Sequence, residues 1–324
     1  MRLATIDIGT NTAQLLVVEI KDGALRRRAA VERFVRLGEG VDARGRIGEA
    51  AQDRLLDTLR EHVATALAHE AETIVVAGTS ALRDATNRTA VCDRVRADLG
   101  LDVEILSGRA EAAWSFAAAC AAVDDVSGPC LVVDVGGGST ELIAGRDPAA
   151  HAPRYVDAIT GRVSLDVGCV RLTERCFDAQ PPAADAVDRV ERLVDAALHD
   201  AALSVGPDPV LIGTAGTATA LALVHAGPDT AWDALHGDGF RLSRADVRHW
   251  RERLLTRSVD EIRALHPGAM AGRADVFPVG VLLLDRLLAH YALDALRVSP
   301  YELRHGLALR WWTRAANADA APRH

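Results

Sequence analysis

Two short segments of the chain place an aspartate before glycine and hydroxyl residues in the same order. The first reads Asp7-Ile-Gly-Thr-Asn-Thr12 and the second reads Asp134-Val-Gly-Gly-Gly-Ser-Thr140. Each lies between two β-branched or apolar runs, which predicts a strand, a tight turn and a second strand. Glycine-containing turns expose backbone N–H groups that can bind phosphate oxygens. An ordinary β-hairpin would explain either copy alone. The repeat favours two phosphate-binding turns that face each other across a cleft, each with an aspartate able to hold a metal.

A third segment of small residues, Gly213-Thr-Ala-Gly-Thr217, follows another predicted strand. It suits phosphates further along a chain, although packing of a helix against a sheet would also explain its glycines. Arg83 can bind two phosphate oxygens at once through its planar fork, or it can pair with Asp84 on the surface. The predicted phosphate contacts are Asn11, Thr12, Ser80, Arg83, Gly136, Gly137, Gly138, Ser139, Thr140, Gly213, Thr214, Gly216 and Thr217.

Three acids are the candidates for chemistry. A carboxylate can take a proton from an oriented water or hold a metal. Glu111 lies at the start of a predicted helix, where it can act in this way or interact favourably with the helix dipole. Asp134 is expected to orient the water or hold a metal, and Asp7 to hold the metal. Both aspartates could instead cap the turn amides.

Composition excludes several other classes of function. The 324 residues suffice for two domains, and a net charge of −8 argues against a dedicated nucleic-acid binder. Lys21 is the only lysine, which excludes a Walker A loop and leaves Schiff-base catalysis only to Lys21, in a charged turn. No apolar stretch approaches membrane-spanning length, and the first strand begins at once after Met1. We therefore expect a cytoplasmic protein without membrane contact.

Cysteine and histidine give no metal-binding pattern. The five cysteines show no Cys-x-x-Cys spacing, which favours buried free thiols; they are Cys92, Cys120, Cys130, Cys169 and Cys176. His62 and His69 are expected on the solvated face of one helix. No histidine spacing suggests zinc.

The order of predicted elements repeats in the two halves. Periodicity predicts a hairpin of two strands at 3–20 and a third apolar segment at 29–37. Helices at 48–70, 87–99 and 109–122 then alternate with strands at 73–77 and 103–106. The second half repeats this with the 131–143 hairpin, a strand at 155–159, a helix at 185–203 and a strand at 209–212. Helices at 243–254 and 272–289, a strand at 295–298 and a helix at 303–315 complete it. This order predicts α/β layers with helices on both sheet faces.

These motifs together resemble the exopolyphosphatase and guanosine pentaphosphate phosphohydrolase (Ppx/GppA) family. The resemblance covers residues 3 to about 310 in the family's order. It rests on both aspartate turns and on further segments: Thr79-Ser80-Ala-Leu-Arg83-Asp84-Ala85, Ser107-Gly-Arg-Ala-Glu111-Ala112, Gly168-Cys-Val-Arg171-Leu-Thr173, Gly213 to Thr217, Arg273-Ala-Asp275 and Leu303-Arg304-His-Gly306.

The resemblance implies an α/β fold of two ribonuclease-H-like lobes in the actin/hexokinase-like superfamily, with a cleft between them. Lobe I would comprise 1–122 and the returning segment 303–324, and lobe II would comprise 123–302. It implies a Mg²⁺- or Mn²⁺-dependent exopolyphosphatase that releases orthophosphate from linear inorganic polyphosphate, with Glu111 as base and a possible homodimer. The alternatives are hydrolysis of guanosine pentaphosphate, a sensor that binds without turnover, and a sugar kinase of the same superfamily.

The sequence departs from the family pattern at one position. Family members often carry two adjacent acids where this chain has Ala110 and Glu111. If the second acid is catalytic, as we expect, nothing is lost; if the first serves a metal or water, activity is weakened. The roles of Arg273, Asp275, Arg304 and His236 stay open between substrate contact and structure.

Overall fold

The chain divides into two compact units, each described below by itself. The computed structural model describes residues 1–21, 24–123, 126–151, 154–231 and 240–319. Unit 1 comprises Met1–Ala118 together with Leu303–His324, and unit 2 comprises Ala119–Glu302.

Unit 1 is built on a five-stranded mixed sheet. Its strands are β1 (Arg2–Ile8), β2 (Thr12–Lys21), β3 (Ala24–Phe34), β4 (Thr73–Gly78) and β5 (Val103–Ile105). They lie in the order β3-β2-β1-β4-β5. β1, β2 and β3 form an antiparallel meander, whereas β1, β4 and β5 run parallel. The carboxyl ends of these three parallel strands therefore meet at one edge of the sheet.

Helices cover both faces of this sheet. They are α1 (Val41–Arg44), α2 (Glu49–Ala68), α3 (Ser80–Asp84), α4 (Arg88–Leu99), α5 (Gly108–Ala121) and the final helix, α13 (Leu303–Asp319). Along β1, Ala4 and Ile6 pack in the cluster that includes α2, whereas Leu3 packs with Ala308 of α13. Burial on both faces explains why β1 reads as a continuous apolar run.

The buried face of α2 differs from the predicted one. His62 is fully buried, whereas Leu67 on the same helix is 62% exposed. The prediction that His62 is solvated is therefore wrong, while His69 is exposed as expected. His62 can lie inside the core because its Nε2 lies 3.1 Å from the carbonyl oxygen of Ala13 on β2, which gives the ring a polar partner there.

Unit 2 repeats the same sheet with one strand added. Its strands are β6 (Pro129–Val135), β7 (Thr140–Arg146), β8 (Ile159–Leu165), β9 (Val210–Thr214), β10 (Phe240–Ser243) and β11 (Ala295–Val298). In the order β10-β11-β9-β6-β7-β8, the part from β11 to β8 has the arrangement of the five strands of unit 1. β6 pairs in parallel with β9 and antiparallel with β7, as β1 does with β4 and β2.

Several elements of unit 2 differ from prediction. The expected strand at 155–159 is wrong, because Tyr155–Ala158 forms a 3-10 turn and the strand follows it. The polar positions in that strand conceal it from a search for apolar runs. The helix expected from residue 272 begins at Phe277, with proline in its first turn, a favoured position. The helices of this unit are α6 (Cys169–Cys176), α7 (Ala184–Ala201), α8 (Ala215–Ala226), α9 (Arg244–Leu255), α10 (Val259–Leu265), α11 (Pro267–Met270) and α12 (Phe277–His290).

All five cysteines are free, as predicted, and all but the half-buried Cys92 are buried. Burial raises the pKa of Cys169 to about 11, so this thiol stays neutral. Among the described residues, no helix has both the length and the apolar character that crossing a bilayer requires.

Candidate active site

The turn between β1 and β2 is closed by one backbone hydrogen bond. The N–H of Gly9 donates to the carbonyl oxygen of Thr12 at 2.8 Å. A Cβ at residue 9 would lie 3.2 Å from that same oxygen, so glycine allows the strands to reverse tightly. Asn11 and Thr12 are half-buried at this turn.

The segment after β3 fixes the orientation of the turn. The carbonyls of Thr10 and Asn11 accept hydrogen bonds from the N–H groups of Gly38 and Arg36, each at 2.9 Å. The C=O and N–H of a trans peptide point in opposite directions. The N–H groups that follow these two carbonyls, those of Asn11 and Thr12, therefore point away from residues 36–38.

The turn between β6 and β7 has the same construction. The N–H of Gly136 donates to the carbonyl of Ser139 at 3.0 Å, and a Cβ at residue 136 would lie 3.1 Å from that oxygen. The strand registers also correspond, because Asp7 lies opposite Gln14 and Asp134 lies opposite Glu141. The two sequence copies are thus two copies of one backbone structure.

The first turn of α6 holds the glycine turn of unit 2. Cys169 N–H donates to the carbonyl of Gly136 at 2.9 Å, and the N–H groups of Val170 and Arg171 donate to the carbonyl of Gly137 at 2.9 and 3.0 Å. By the same trans-peptide geometry, the N–H groups of Gly137 and Gly138 point away from α6. The turn therefore presents two adjacent amides on its outer side, an arrangement that binds anions.

A carboxylate that the sequence analysis did not single out lies beside Asp134. Glu141 is 1% exposed and lies directly opposite Asp134 on β7, where antiparallel partners bring their side chains close together. Ser164 donates a hydrogen bond to Glu141 Oε1 at 2.7 Å. The signal was available, since Glu141 comes directly after the second aspartate turn and a tight hairpin places it opposite Asp134.

The hydroxyls of the other predicted residues have partners within the fold. Thr140 Oγ1 donates to the carbonyl of Val167 at 2.6 Å, and Thr217 Oγ1 to that of Val135 at 3.0 Å. Thr214 Oγ1 donates to the carbonyl of Tyr301. Ser139 is buried with them. These hydroxyls hold the loops in place and offer a ligand only their acceptor lone pairs.

The third small-residue segment is not a free turn, contrary to the sequence interpretation. Gly213 and Thr214 end β9, and α8 begins at once with Ala215, so Gly216 and Thr217 lie in its first turn. A Cβ at Gly213 would lie 2.5 Å from Leu296 Cδ1 and 2.9 Å from Ala218 Cβ. Packing therefore accounts for Gly213. Ala215 has φ of 60°, a left-handed conformation that costs free energy for a residue with a Cβ.

Arg273 packs directly on this junction. Its Nη1 donates to the carbonyl of Gly216 at 2.8 Å, and a Cβ at residue 216 would overlap that nitrogen. Arg273 thus positions the start of α8. Asp275 is half-buried, and both residues lie before α12 rather than within it. His236 lies outside the described residues.

In unit 1, Arg304 has a structural role. It is buried, its Nη1 donates to the carbonyl of Leu15 at 3.2 Å, and its own carbonyl accepts from Thr5 Oγ1 at 2.9 Å. These bonds hold α13 against the β1–β2 hairpin. Gly306 permits a close approach, because a Cβ there would lie 2.7 Å from the carbonyl carbon of Trp114.

The predicted catalytic residues of unit 1 gather at the edge where β1, β4 and β5 end. Thr79 N–H donates to the carbonyl of Ile8 at 3.1 Å, and Leu106 N–H to that of Gly78 at 2.9 Å. The first bond joins the end of β1 to the segment that carries Ser80 and Arg83, and the second joins that segment to the loop before Glu111. Asp7 lies at this edge too, paired with Ala77 on β4.

Arg83 and Glu111 form an ion pair that the sequence analysis did not predict. Arg83 Nη1 lies 2.7 Å from Glu111 Oε2 and also donates to the carbonyl of Leu106 at 3.2 Å. Asp84, the partner considered from sequence, lies farther away at 4.0 Å from Arg83 Nε. Ser80 Oγ donates to Asp84 Oδ2 at 3.2 Å. Arg83 therefore orients the carboxylate of Glu111.

Burial sets the protonation of Glu111. The residue is 7% exposed, and this desolvation raises the pKa of its carboxyl above the ordinary 4.5, while the hydrogen bond from Arg83 acts in the opposite direction. A carboxylate whose pKa moves toward neutrality is a better proton acceptor near neutral pH. Unit 1 thus has an oriented base, Glu111, and at the same edge of its sheet the turn that carries the amides of Asn11 and Thr12.

The chain is similar along most of its length to known proteins of one family. The model of the Ppx/GppA phosphatase family matches residues 16–315. Exopolyphosphatase 2 of Mycobacterium tuberculosis is 34% identical, over 95% of this chain and 98% of its own length. Guanosine-5'-triphosphate,3'-diphosphate pyrophosphatase of Vibrio atlanticus is 30% identical, over 94% of this chain and 58% of its own length. The crystal structure of the Aquifex aeolicus Ppx/GppA family member superposes with a TM-score of 0.79 at 27% identity, covering 97% of this chain and 98% of that one.

The fold and site therefore define a phosphoanhydride hydrolase with two α/β lobes of the actin/hexokinase-like superfamily, as predicted. The chain belongs to the Ppx/GppA phosphatase family.

Proposed function

We propose that this chain is an exopolyphosphatase that releases terminal orthophosphate from linear inorganic polyphosphate. The observation that carries the proposal is the buried, Arg83-bound carboxylate of Glu111 at the same sheet edge as an amide-presenting turn. The name of the Mycobacterium tuberculosis relative supports the choice of substrate.

In the proposed reaction, water attacks the terminal phosphorus and Glu111 Oε accepts its proton. The P–O bond to the next phosphate breaks, and that oxygen leaves with the shortened chain. Each turn offers amides for phosphate oxygens whose charge grows in the transition state: those of Asn11 and Thr12 in unit 1, and those of Gly137 and Gly138 in unit 2. Ser80 and Arg83 add a hydroxyl and a guanidinium to this set.

The residues at the site fit a hard divalent cation that is bound together with substrate. Among the described residues, no three His, Cys, Asp or Glu side chains lie close enough to form a complete protein cage. Mg²⁺ usually takes one or two carboxylates and completes its shell with water and substrate phosphates. In unit 1, Asp7 offers such a carboxylate; in unit 2, Asp134 offers another, with Glu141 beside it. When bound, Mg²⁺ or Mn²⁺ would neutralise phosphate charge.

A second candidate substrate is guanosine pentaphosphate. It requires the same chemistry at a 5'-terminal phosphate, and the Vibrio atlanticus relative carries a name of that type. That relative is longer, since this chain matches 58% of it. We favour polyphosphate because the relative matched along 98% of its length is named an exopolyphosphatase.

The test is orthophosphate release from polyphosphate and from guanosine pentaphosphate, measured side by side with Mg²⁺, Mn²⁺ or EDTA. We expect release from polyphosphate that EDTA abolishes and excess Mg²⁺ restores. Asp7→Asn should raise the Mg²⁺ concentration for half-maximal rate. Full activity in EDTA would contradict the metal assignment, and release from the nucleotide alone would contradict the choice of substrate.

A further inference from the structure

A basic pocket lies in unit 1 apart from the residues proposed for hydrolysis. Its volume is about 500 Å³. It is formed by the last residue of α1, the loop before α2, the amino-terminal part of α2 and one residue of α4. The lining includes three arginines, two acids and a glutamine: Arg44, Arg46, Arg94, Glu49, Asp53 and Gln52.

Two of the three arginines have no carboxylate partner in the described part of the chain. Arg44 Nη2 donates only to the backbone carbonyl of Glu39, at 2.9 Å, and Arg46 makes no ion pair or side-chain hydrogen bond there. Arg94, by contrast, pairs with Asp53 at 2.7 Å. Three arginines against two acids leave one net positive charge, concentrated at Arg44 and Arg46.

The amino terminus of α2 opens into the same pocket. α2 is 20 residues long, and its N-cap is Gly48, which provides no side chain to accept from the first N–H groups. These N–H groups and the helix dipole favour an anion at this position. The negative charge of Glu49 in the first turn offsets part of the positive end of the helix dipole.

The pocket wall is fixed before any ligand arrives. Asn87 accepts from the N–H of Ile47 and donates to its carbonyl, each at 3.0 Å. Thr86 Oγ1 donates to the carbonyl of Gly45 at 2.8 Å, and Gln52 Nε2 to that of Ile47 at 3.1 Å. Because the loop that carries Arg46 is held on both sides, binding requires little ordering of the backbone.

We propose that this pocket binds a phosphoryl group through Arg44 and Arg46, as a site separate from the one for hydrolysis. A planar guanidinium can make two parallel hydrogen bonds to phosphate, and two guanidiniums beside a helix terminus match its three outer oxygens. Under the proposed function, this phosphoryl group is either free orthophosphate or one unit of a polyphosphate chain. Only this pair of sources rests on the proposed function; the pocket itself does not.

The test uses phenylglyoxal, which forms adducts with guanidinium groups, on the full chain in EDTA so that no turnover is needed. Adducts at Arg44 and Arg46 are quantified by mass spectrometry with orthophosphate, tripolyphosphate or chloride at equal ionic strength. We expect phosphate to protect both arginines and chloride not to. Protection by orthophosphate assigns the free ion; protection by tripolyphosphate alone assigns a chain unit. Protection by neither overturns the proposal, whatever the hydrolysis assay gives.

Matched variants test whether the two arginines act together. Arg44→Gln should raise the phosphate concentration for half-protection of Arg46 by about tenfold, the loss expected for one charge-assisted hydrogen bond. Arg192→Gln is the control, because Arg192 is an exposed arginine on α7 without a side-chain partner among the described residues. Unchanged protection of Arg46 in Arg44→Gln would overturn the proposal.

Discussion

Burial and one guanidinium act on the carboxylate of Glu111 in opposite directions. Desolvation raises its pKa, and the 2.7 Å hydrogen bond from Arg83 lowers it again. A buried carboxylate without a partner would stay protonated and could not accept a proton. Arg83 therefore keeps Glu111 usable as a base, whatever contact it also makes with phosphate.

The first prediction concerns pH. A base works only when deprotonated, so kcat/KM should fall as pH drops through the raised pKa of Glu111, above the ordinary 4.5. Arg83→Met should move this acid limb to higher pH, because the lowering contribution of Arg83 is lost. The measurement is the pH dependence of kcat/KM for both proteins at saturating Mg²⁺.

Arg83→Lys serves as the control for charge. Lysine retains the positive charge without the planar fork, so its acid limb should lie between the other two. If Arg83→Met lowers activity by the same factor at every pH, Arg83 acts on substrate only and does not tune Glu111.

The second prediction is that Glu111→Gln folds normally and loses nearly all hydrolysis. Glutamine keeps the shape of the side chain but cannot accept the proton, and removal of a general base typically costs 10²- to 10⁴-fold in rate. The measurement is kcat on polyphosphate with purified protein of verified fold. Glu252→Gln, at an exposed position on α9, is the matched control. Turnover at the wild-type level in Glu111→Gln would remove this residue from the mechanism.

At the residue scale, sequence reasoning found the acids but not their partners. Glu111 and Asp134 stand out through their motifs, whereas the pairing of Arg83 with Glu111 joins residues 28 positions apart. Such a pair depends on how β4, β5 and α5 pack, which local periodicity does not encode. Glu141 closely follows the second aspartate turn, but its position opposite Asp134 depends on the register of β6 and β7.

At the element scale, a short helix holds the glycine turn of unit 2 in place. The first turn of α6 donates three hydrogen bonds to the carbonyls of Gly136 and Gly137. Gly168 makes this approach possible, since a Cβ there would lie 2.5 Å from the carbonyl carbons of Gly137 and Gly138. The neighbours in this contact are backbone atoms, which cannot rotate aside as a flexible side chain would.

The third prediction follows from that contact. Gly168→Ala should separate α6 from the glycine turn, lower the free energy of unfolding by about 1–3 kcal/mol and raise KM. Urea unfolding and steady-state kinetics measure the two effects. Gly268→Ala is the control, because the nearest side-chain atom would lie at an ordinary 3.7 Å. Wild-type stability and KM in Gly168→Ala would contradict the role assigned to α6.

The fourth prediction concerns His62 on α2. Burial lowers its pKa below the ordinary 6.5, so the folded chain resists a proton that the unfolded chain accepts. The free energy of unfolding should therefore fall as pH drops below 6.5, by up to about 1.4 kcal/mol per pH unit, until the folded pKa is reached. Urea unfolding between neutral pH and pH 5 measures this slope.

A variant separates His62 from the other titrating groups. His62→Met replaces the imidazole by an apolar side chain of similar length that binds no proton, so it should reduce the slope. His69→Gln, on the exposed face of the same helix, should leave the slope unchanged. Equal slopes in His62→Met and the wild type would show that another group controls acid stability.

Elements with strong local patterns were predictable, and those defined by packing were not. The hairpins, α2 and β11 follow apolar runs or helical periodicity, and their bounds agree with expectation to within three residues. The start of α8 was interpreted as part of a turn because residues 213–217 are Gly, Thr and Ala; in the fold, Gly213 at the end of β9 packs closely against Leu296. The side chains of β8 alternate too weakly to mark a strand.

At the scale of the whole molecule, one strand order occurs twice, and the two glycine turns proposed to bind phosphate lie at equivalent places in both copies. The net charge of −8 repels a polyanion overall. Under the proposed function, binding must then come from local groups: turn amides, Arg83 and a cation, for which unit 1 offers Asp7 and unit 2 offers Asp134. In unit 2, Asp134 is the register partner of Thr214 on β9, which brings the glycine turn beside the start of α8. These neighbouring segments offer contacts to more than one phosphate.

The last prediction is that affinity rises with chain length and falls with salt. Each further phosphate that meets an amide or arginine adds charge-assisted hydrogen bonds, roughly 1.5–3 kcal/mol each before ordering costs. kcat/KM should increase from tripolyphosphate to a short polymer and then level off, because the number of contacts is finite. Raising ionic strength should weaken long chains most, since their contacts are ionic. Guanosine pentaphosphate is assayed in the same buffer. A guanosine preference with no effect of polymer length would replace polyphosphate by the nucleotide as substrate, since a base pocket rather than repeated phosphate contacts would then supply the binding energy.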